Sequence, residues 1–303
     1  FENRPYNRYH GTKQAHFYFF ECEEDQEAAN ALFERAFEWA RARGLDAIVG
    51  PKGLSAFDGY GLQIEGFEHR QMMTMMNYNY EYYPRLVEAL GFEKEVDFVS
   101  CYLPYTSFAI PERVVRIAER VMKRGSLSVK RFRNKRELIQ WAPKIGAAYN
   151  KAFVNNWEYY PLSENEIKFI VDNIMLVADH RLIKIILYKE QEVVGFLFGF
   201  PDVSAALQRA RGRLLPFGVF DLLLEMKRTD WLSANGMGIL PEHQGRGGNA
   251  LLYYEMAKTI EEFGRFKHIE MTQVAETAVQ MRADLKNLNG QEYKNHRVYR
   301  RAL

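Results

Sequence analysis

The chain has 303 residues, with 41 Lys and Arg against 39 Asp and Glu, for a formal net charge of +2. That length suggests about two domains, and a 47% hydrophobic share is enough apolar material to offset chain entropy, which excludes a disordered chain. No run approaches the roughly 18 apolar residues that cross a bilayer, and charge near balance speaks against a dedicated nucleic-acid binder. Two cysteines, Cys22 and Cys101, cannot build a disulfide framework and fit a reducing compartment. With no apolar signal segment in residues 1–10, the expected location is the cytoplasm. The chain opens on Phe rather than Met, which implies the loss of preceding residues.

In chain order, residues 16–20 form an aromatic run that predicts a strand. Ala28, Ala29, Leu32, Phe33, Ala36, Phe37 and Ala40 repeat at helical spacing within 25–43, and Gly44 stops them. A buried strand is predicted at 47–49, followed by a Gly-rich loop, a helix over 81–90 ended by Gly91, and a strand over 95–103. Residues 104–111 read as a hinge, and 112–123 as an amphipathic helix closed by Gly125. Beyond it come a strand at 127–132, helices at 135–152 and 164–178, and strands at 181–188 and 192–200. A long connection over 201–228 has helical character. It leads to a strand at 229–239, a loop at 241–248, a helix at 249–263, a strand at 268–274, a helix at 278–288 and a last strand at 293–300.

The two halves share the order strand, helix, strand, helix ending in Gly, strand, which suggests an old duplication. The expected organisation is a partial first repeat at 1–110, a linker helix at 111–124 and a complete second domain at 125–303. The fold class is α/β (α+β), with two mixed, mostly antiparallel sheets flanked by helices.

The most specific segment is Gly238-Ile239-Leu240-Pro241-Glu242-His243-Gln244-Gly245-Arg246-Gly247-Gly248-Asn249, a strand running into a Gly-rich turn that opens a helix. Glycines there let successive N–H groups converge, the helix start adds partial positive charge and Arg246 adds a full one, so the segment suits a pyrophosphate. It is neither a GxGxxG fingerprint nor a P-loop. It resembles the acetyl-CoA-binding motif of the GNAT acyltransferase superfamily, Q/R-x-x-G-x-G/A. Gln244 and Gly247 match, while Asn249 stands where Gly or Ala is usual. Segments such as Gly212-Arg213-Leu214-Leu215-Pro216-Phe217-Gly218 and Lys294-Asn295-His296-Arg297-Val298-Tyr299-Arg300 resemble a group of bacterial tandem GNAT proteins with a degenerate first repeat.

The resemblance implies acetyl-CoA or another acyl-CoA as cofactor, bound along Met237, Gly238, Ile239 and Leu240 and at Gln244, Gly245, Arg246, Gly247, Gly248 and Asn249. It implies transfer of the acyl group to the amine of a small molecule. The equivalent first-half loop, Glu21-Cys22-Glu23-Glu24-Asp25, would repel a pyrophosphate, so one cofactor site is expected. No Glu lies on the strand before the loop. The candidate bases are therefore Glu276 first and Asp202 second, and Tyr293 is a candidate acid; a capping or solvated role is the plain alternative for each. Asn156, Trp157 and Tyr159 suit an acceptor pocket, and the methionines Met72, Met73, Met75 and Met76 suit an apolar site or an ordinary core. Metal, membrane and nucleic-acid partners are not expected. The alternative readings are a non-catalytic CoA-binding protein and a transferase that uses aminoacyl-tRNA.

Overall fold

The computed structural model describes residues 1–54, 58–72, 76–104 and 110–303. The first elements are α1 (Arg4–His10), β1 (Gln14–His16), α2 (Gln26–Arg41), β2 (Ala47–Gly50), β3 (Leu62–Glu65), α3 (Tyr82–Ala89) and β4 (Glu93–Pro104). Next come α4 (Glu112–Arg124), β5 (Leu127–Lys130), α5 (Lys135–Ala152), α6 (Glu164–Val177), β6 (Ile183–Tyr188) and β7 (Glu192–Pro201). The remainder is α7 (Ser204–Ala210), α8 (Gly218–Arg228), β8 (Trp231–Ile239), α9 (Gly248–Phe263), β9 (His268–Ala275), α10 (Val279–Asn287) and β10 (Gln291–Ala302). The chain divides into two compact units that are not sequential. Unit 1 holds Phe1–Cys101, Gln273–Arg282 and Glu292–Leu303, and unit 2 holds Tyr102–Thr272 and Ala283–Gln291.

In unit 1 the strand order is β1-β2-β10-β4, with β3 also on β10. β1 and β2 are parallel, with α2 as the crossover between them. The Asp25 carboxylate starts α2 by accepting from the Glu27 and Ala28 N–H groups at 2.8 and 3.2 Å. The helix then buries Ala29, Phe33, Phe37 and Ala40 at three- and four-residue spacing. These residues share a core with Ile48, Val87, Phe92 and Tyr299.

The aromatic run differs from expectation, since the strand is Gln14–His16 and residues 17–20 leave it. Their rings are drawn elsewhere: Phe17 and Phe20 pack on Phe33 at 5.2 and 5.1 Å, and Phe20 packs on Tyr83 at 5.3 Å. Helix α1 and strand β3 carry no strong sequence signal. α1 is started by the Asn3 side chain, which accepts from the Tyr6 N–H, and is stopped by Gly11 in the left-handed region. Met72 and Met76 are core residues, while Met73 and Met75 lie outside the described residues. The expected hinge begins with Pro104, which ends β4, and its residues 105–109 also lie outside the described ones.

In unit 2 the strand order is β9-β8-β7-β6-β5. β8 and β9 are parallel and the other pairs antiparallel. The helices on its two faces are separated by the alternation of β7. Phe196 and Phe198 face α5, where the Tyr149 and Phe153 rings lie 6.0 and 5.6 Å from Phe196. Gly199 faces α9, and a Cβ there would sit 3.2 Å from Met256 Cε. Local capping sets the helix starts: Asn134 opens α5, and Ser163 with Glu166 forms a capping box for α6. In the basic cluster 130–136, Lys130 pairs with Glu137 at 2.7 Å and Arg131 with the buried Glu255 at 2.8 Å, while Arg133, Lys135 and Arg136 are exposed.

Candidate active site

At one end of the unit 2 strand order lies the parallel pair β8–β9. It pairs from Trp231–His268 to Ala234–Met271, after which β8 continues for five more residues along β7 alone. At the point of departure β8 carries one extra residue relative to β7, between Ala234 and Met237, with Gly236 at φ +98°. This bulge bends the strand and turns its edge away from β9. Gln273 on β9 also takes a positive φ just beyond the last pair. Pairing between the two strands therefore stops at Ala234–Met271 while both continue. Rings make the glycines of β8 necessary: a Cβ on Gly238 would lie 2.8 Å from Phe196 Cζ, and one on Gly236 would lie 3.0 Å from Phe198 Cδ2.

The loop after β8 leads straight into α9. Gly247 precedes the helix at φ +85°, no side chain caps it, and the first intrahelical bond runs from the Leu251 N–H to the Gly247 carbonyl at 3.2 Å. The N–H groups of the first turn thus point out of the helix end, where they attract an anion. Arg246 stands exposed beside them and joins no ion pair among the described residues. Gly245, at φ +72°, has open space where a Cβ would be. Gly247 and Gly248 answer to packing instead. A Cβ on Gly247 would lie 2.7 Å from Val121 Cγ2 and 3.0 Å from Ile117 Cγ2 of α4, and one on Gly248 would lie 3.0 Å from Ile239 Cδ1. Gln244 folds back to donate to the Ile239 carbonyl at 3.2 Å. Both backbone groups of Leu240 are in use: its N–H donates to Val194 O at 2.9 Å, and its carbonyl accepts from the His243 N–H at 2.8 Å. Of the expected strand contacts, Met237, Gly238 and Ile239 thus lie along the open arm of β8, whereas Leu240 is tied down.

Asn249 is the departure from the resembled motif, and the structure gives its side chain work: its amide donates to the Asp284 carboxylate of α10. One turn further along α9, burial raises the Tyr253 phenol well above its ordinary range, and the Asp284 charge adds to the rise. This group fastens the start of α9 to α10.

Asn156, Trp157 and Tyr159 sit in the turn after α5, with Asn156 exposed and the two aromatics half-buried. Burial raises the Tyr149 phenol, and Tyr159 and Tyr160 raise it further, so these phenols lie close together. The candidate carboxylates are engaged elsewhere. Asp202 is buried and accepts from the Ser204 N–H and hydroxyl at the start of α7. Glu276 belongs to unit 1, where one oxygen accepts from Lys94 Nζ at 2.7 Å and the other from the Asp97 N–H at 3.1 Å. Tyr293 also belongs to unit 1, with its ring 4.9 Å from that of His69 and 4.8 Å from Lys294 Nζ.

Sequence reasoning passed over Glu270. It is fully buried in the middle of β9 and pairs with Ser233, which in turn pairs with Phe200 of β7. That row lies on the α5 face, one residue before β8 and β9 part. Its signal was a lone carboxylate set between two apolar residues, Ile269 and Met271.

No protein-family model matches the chain. A tandem GNAT protein from the clavulanic acid biosynthesis pathway superposes over 96% of this chain and 76% of its own, with 10% identity and a TM-score of 0.53. A GCN5-related N-acetyltransferase from Sphaerobacter thermophilus does so over 90% and 67%, with 11% identity and a TM-score of 0.50. These likenesses show that the fold is that of the GNAT acyltransferases. By sequence, the chain is 25% identical to Protein YghO of Escherichia coli K12 across 97% of this chain and 75% of that protein. It is 30% identical to the bacterial ceramide synthase of Caulobacter vibrioides across 97% of this chain and 76% of that protein. With that identity over that span, the chain belongs to the bacterial ceramide synthase family.

Proposed function

We propose that this chain is an N-acyltransferase that moves an acyl group from acyl-CoA to the amine of a long-chain amino alcohol, forming an amide lipid of the ceramide type. The observation that carries this reading is the opening of β8 from β9 in front of the uncapped start of α9. The relative's name supports the lipid acceptor, since a ceramide is the fatty amide of such an amine. The residues fit the donor. The N–H groups between Gly245 and Asn249, with Arg246, would hold the pyrophosphate, and the released edge at Met237, Gly238 and Ile239 would pair with the pantetheine amides. Asn156, Trp157 and Tyr159 would line the acceptor side. Unit 1 would then be the degenerate member of a tandem pair.

Glu270 is the base we assign. It is a carboxylate shielded from water, on the acceptor face, one residue from the opening. In the reaction the amine nitrogen bonds to the carbonyl carbon and the C–S bond breaks. The amine proton passes to the Glu270 carboxylate, which returns it through water to the released thiolate, so that the base is restored and the thiol is formed. The test is incubation with acyl-CoAs of increasing chain length and a sphingoid base, reading amide by mass spectrometry and thiol by colorimetry. Equal yields of amide and thiol, rising with chain length, are expected. Acetyl transfer to short amines alone would overturn the lipid acceptor. Acyl-CoA binding without any amide product would overturn the transferase reading.

A further inference from the structure

The corner between α7 and α8 carries an apolar face that the proposed reaction does not use. Leu215, Phe217 and Phe220 are 81, 78 and 69% exposed, and Leu214, Leu223 and Leu224 are also exposed. Phe217, Phe220 and Leu224 recur at helical spacing, so they form one stripe along α8. The other side of α8 explains why this stripe faces out. Leu222 is buried against Val203 and Ala206, with Val177, Leu207 and Met226 around it. On that inner side Arg209 of α7 bridges both acids of α8, bonding Asp221 at 2.9 and 3.0 Å and also Glu225. The helix is therefore held by a polar clamp and a small core, with its larger apolar side turned to solvent.

Charge sorts with this arrangement. Arg211 and Arg213 precede the apolar stretch, and Lys227 and Arg228 follow it. All four are exposed, and none joins an ion pair among the described residues. Asp221 and Glu225 share Arg209, which offsets one of their two charges, and the four flanking cations outnumber the remainder, so the outward surface is apolar at its centre and cationic at both ends. A monomer seldom leaves so many large apolar side chains together in water. A protein partner would need acidic groups on both flanks of an apolar groove, whereas a bilayer with anionic headgroups offers that pattern at every point.

We infer that the α7–α8 corner is a docking surface that lies in the interface of a bilayer containing anionic lipid. The expectation of no membrane partner rested on the lack of a spanning run, and no helix of the described residues is long and apolar enough to cross a membrane. A surface-lying face needs no such helix. The inference stands on exposure and charge, and holds whether or not the proposed acyl transfer does.

The test is co-sedimentation of the full chain with vesicles of phosphatidylcholine alone or mixed with phosphatidylglycerol. Partition is expected to rise at least about tenfold with the anionic lipid and to fall again at high salt. The double substitution Phe217→Ser with Phe220→Ser should abolish it, and Arg211→Glu with Arg213→Glu should remove the preference for anionic vesicles. The altered side chains are exposed, so thermal melting should stay unchanged. Failure of the folded wild type to sediment with either vesicle would overturn the inference. So would unchanged partition of the Phe217→Ser, Phe220→Ser variant, or lipid-free dimerisation of the wild type that this variant loses. Acyl transfer measured in detergent micelles reports on the reaction separately.

Discussion

Two regions of this molecule share a plan and differ in how they finish it. In unit 1, β1 leads through α2 to the parallel strand β2; in unit 2, β8 leads through α9 to the parallel strand β9. The first pair is closed. Beyond its ladder the Phe17 N–H still reaches Val49 O at 3.1 Å, and the Lys52 N–H reaches Phe17 O at 2.9 Å. Its helix start is filled by Asp25, in a loop with Glu21, Glu23 and Glu24. The second pair opens after four residues, and its helix start has no cap and an exposed Arg246. The same backbone unit is thus a core element when its strands stay paired and its N–H groups are met from within. On the proposed reading it serves as an anion site when the strand edge and the helix end are both released.

The contrast can be pressed at several points. The largest effect should follow Glu270→Gln, which keeps the shape and removes the base: kcat should fall about a hundredfold or more while the acyl-CoA KM holds. Next, Arg246→Glu should weaken acyl-CoA binding by about tenfold or more, most strongly at low salt, when affinity is measured by titration. In unit 1, Asp25→Ala should leave that affinity alone and lower stability by about 1 kcal/mol in urea denaturation. Gly247→Ala should destabilise by about 2 kcal/mol, because its Cβ meets Val121 and Ile117 and its φ is positive.

Unit 1 also holds buried bases whose titration has a definite sign. Burial, and then the Lys52 charge, lower His16 to about 2, and burial lowers His296 to about 4, against 6.5 for free histidine. The unfolded chain takes up these protons first. The stability that the neutral rings contribute is complete above pH 6.5 and is lost as pH falls toward 4 and below, at up to about 1.4 kcal/mol per pH unit for each ring. Burial depresses Lys52 to about 7 from 10.5, so stability from this group rises between pH 7 and 10.5. Denaturation midpoints across pH 4–9 should show both slopes, and His296→Leu should flatten the acid one.

Much of this was legible in the sequence where local chemistry decides structure. Helix α5 runs as expected over Lys135–Ala152 because Asn134 caps it, and α4 ends where Gly125 turns left-handed. The Gly-rich loop was legible too, but its physics was only half visible. Gly247 and Gly248 are required by α4 and by Ile239, contacts between residues far apart in sequence. β3 has no signal of its own because its partner is β10, more than two hundred residues away. Glu270 lay in plain sight as a charge between Ile269 and Met271, yet only the pairing with Ser233 shows its nearness to the end of the β8–β9 ladder. The engagement of Glu276 with Lys94 and Asp97 is likewise a tertiary fact that no local pattern contains.

The most direct measurement of the central contrast is the stoichiometry of acyl-CoA binding, by calorimetric titration of the full chain and its Arg246→Glu variant. The account predicts one molecule bound per chain, with that binding lost when Arg246 is reversed. Two molecules bound per chain, or one bound with undiminished affinity in the variant, would contradict it.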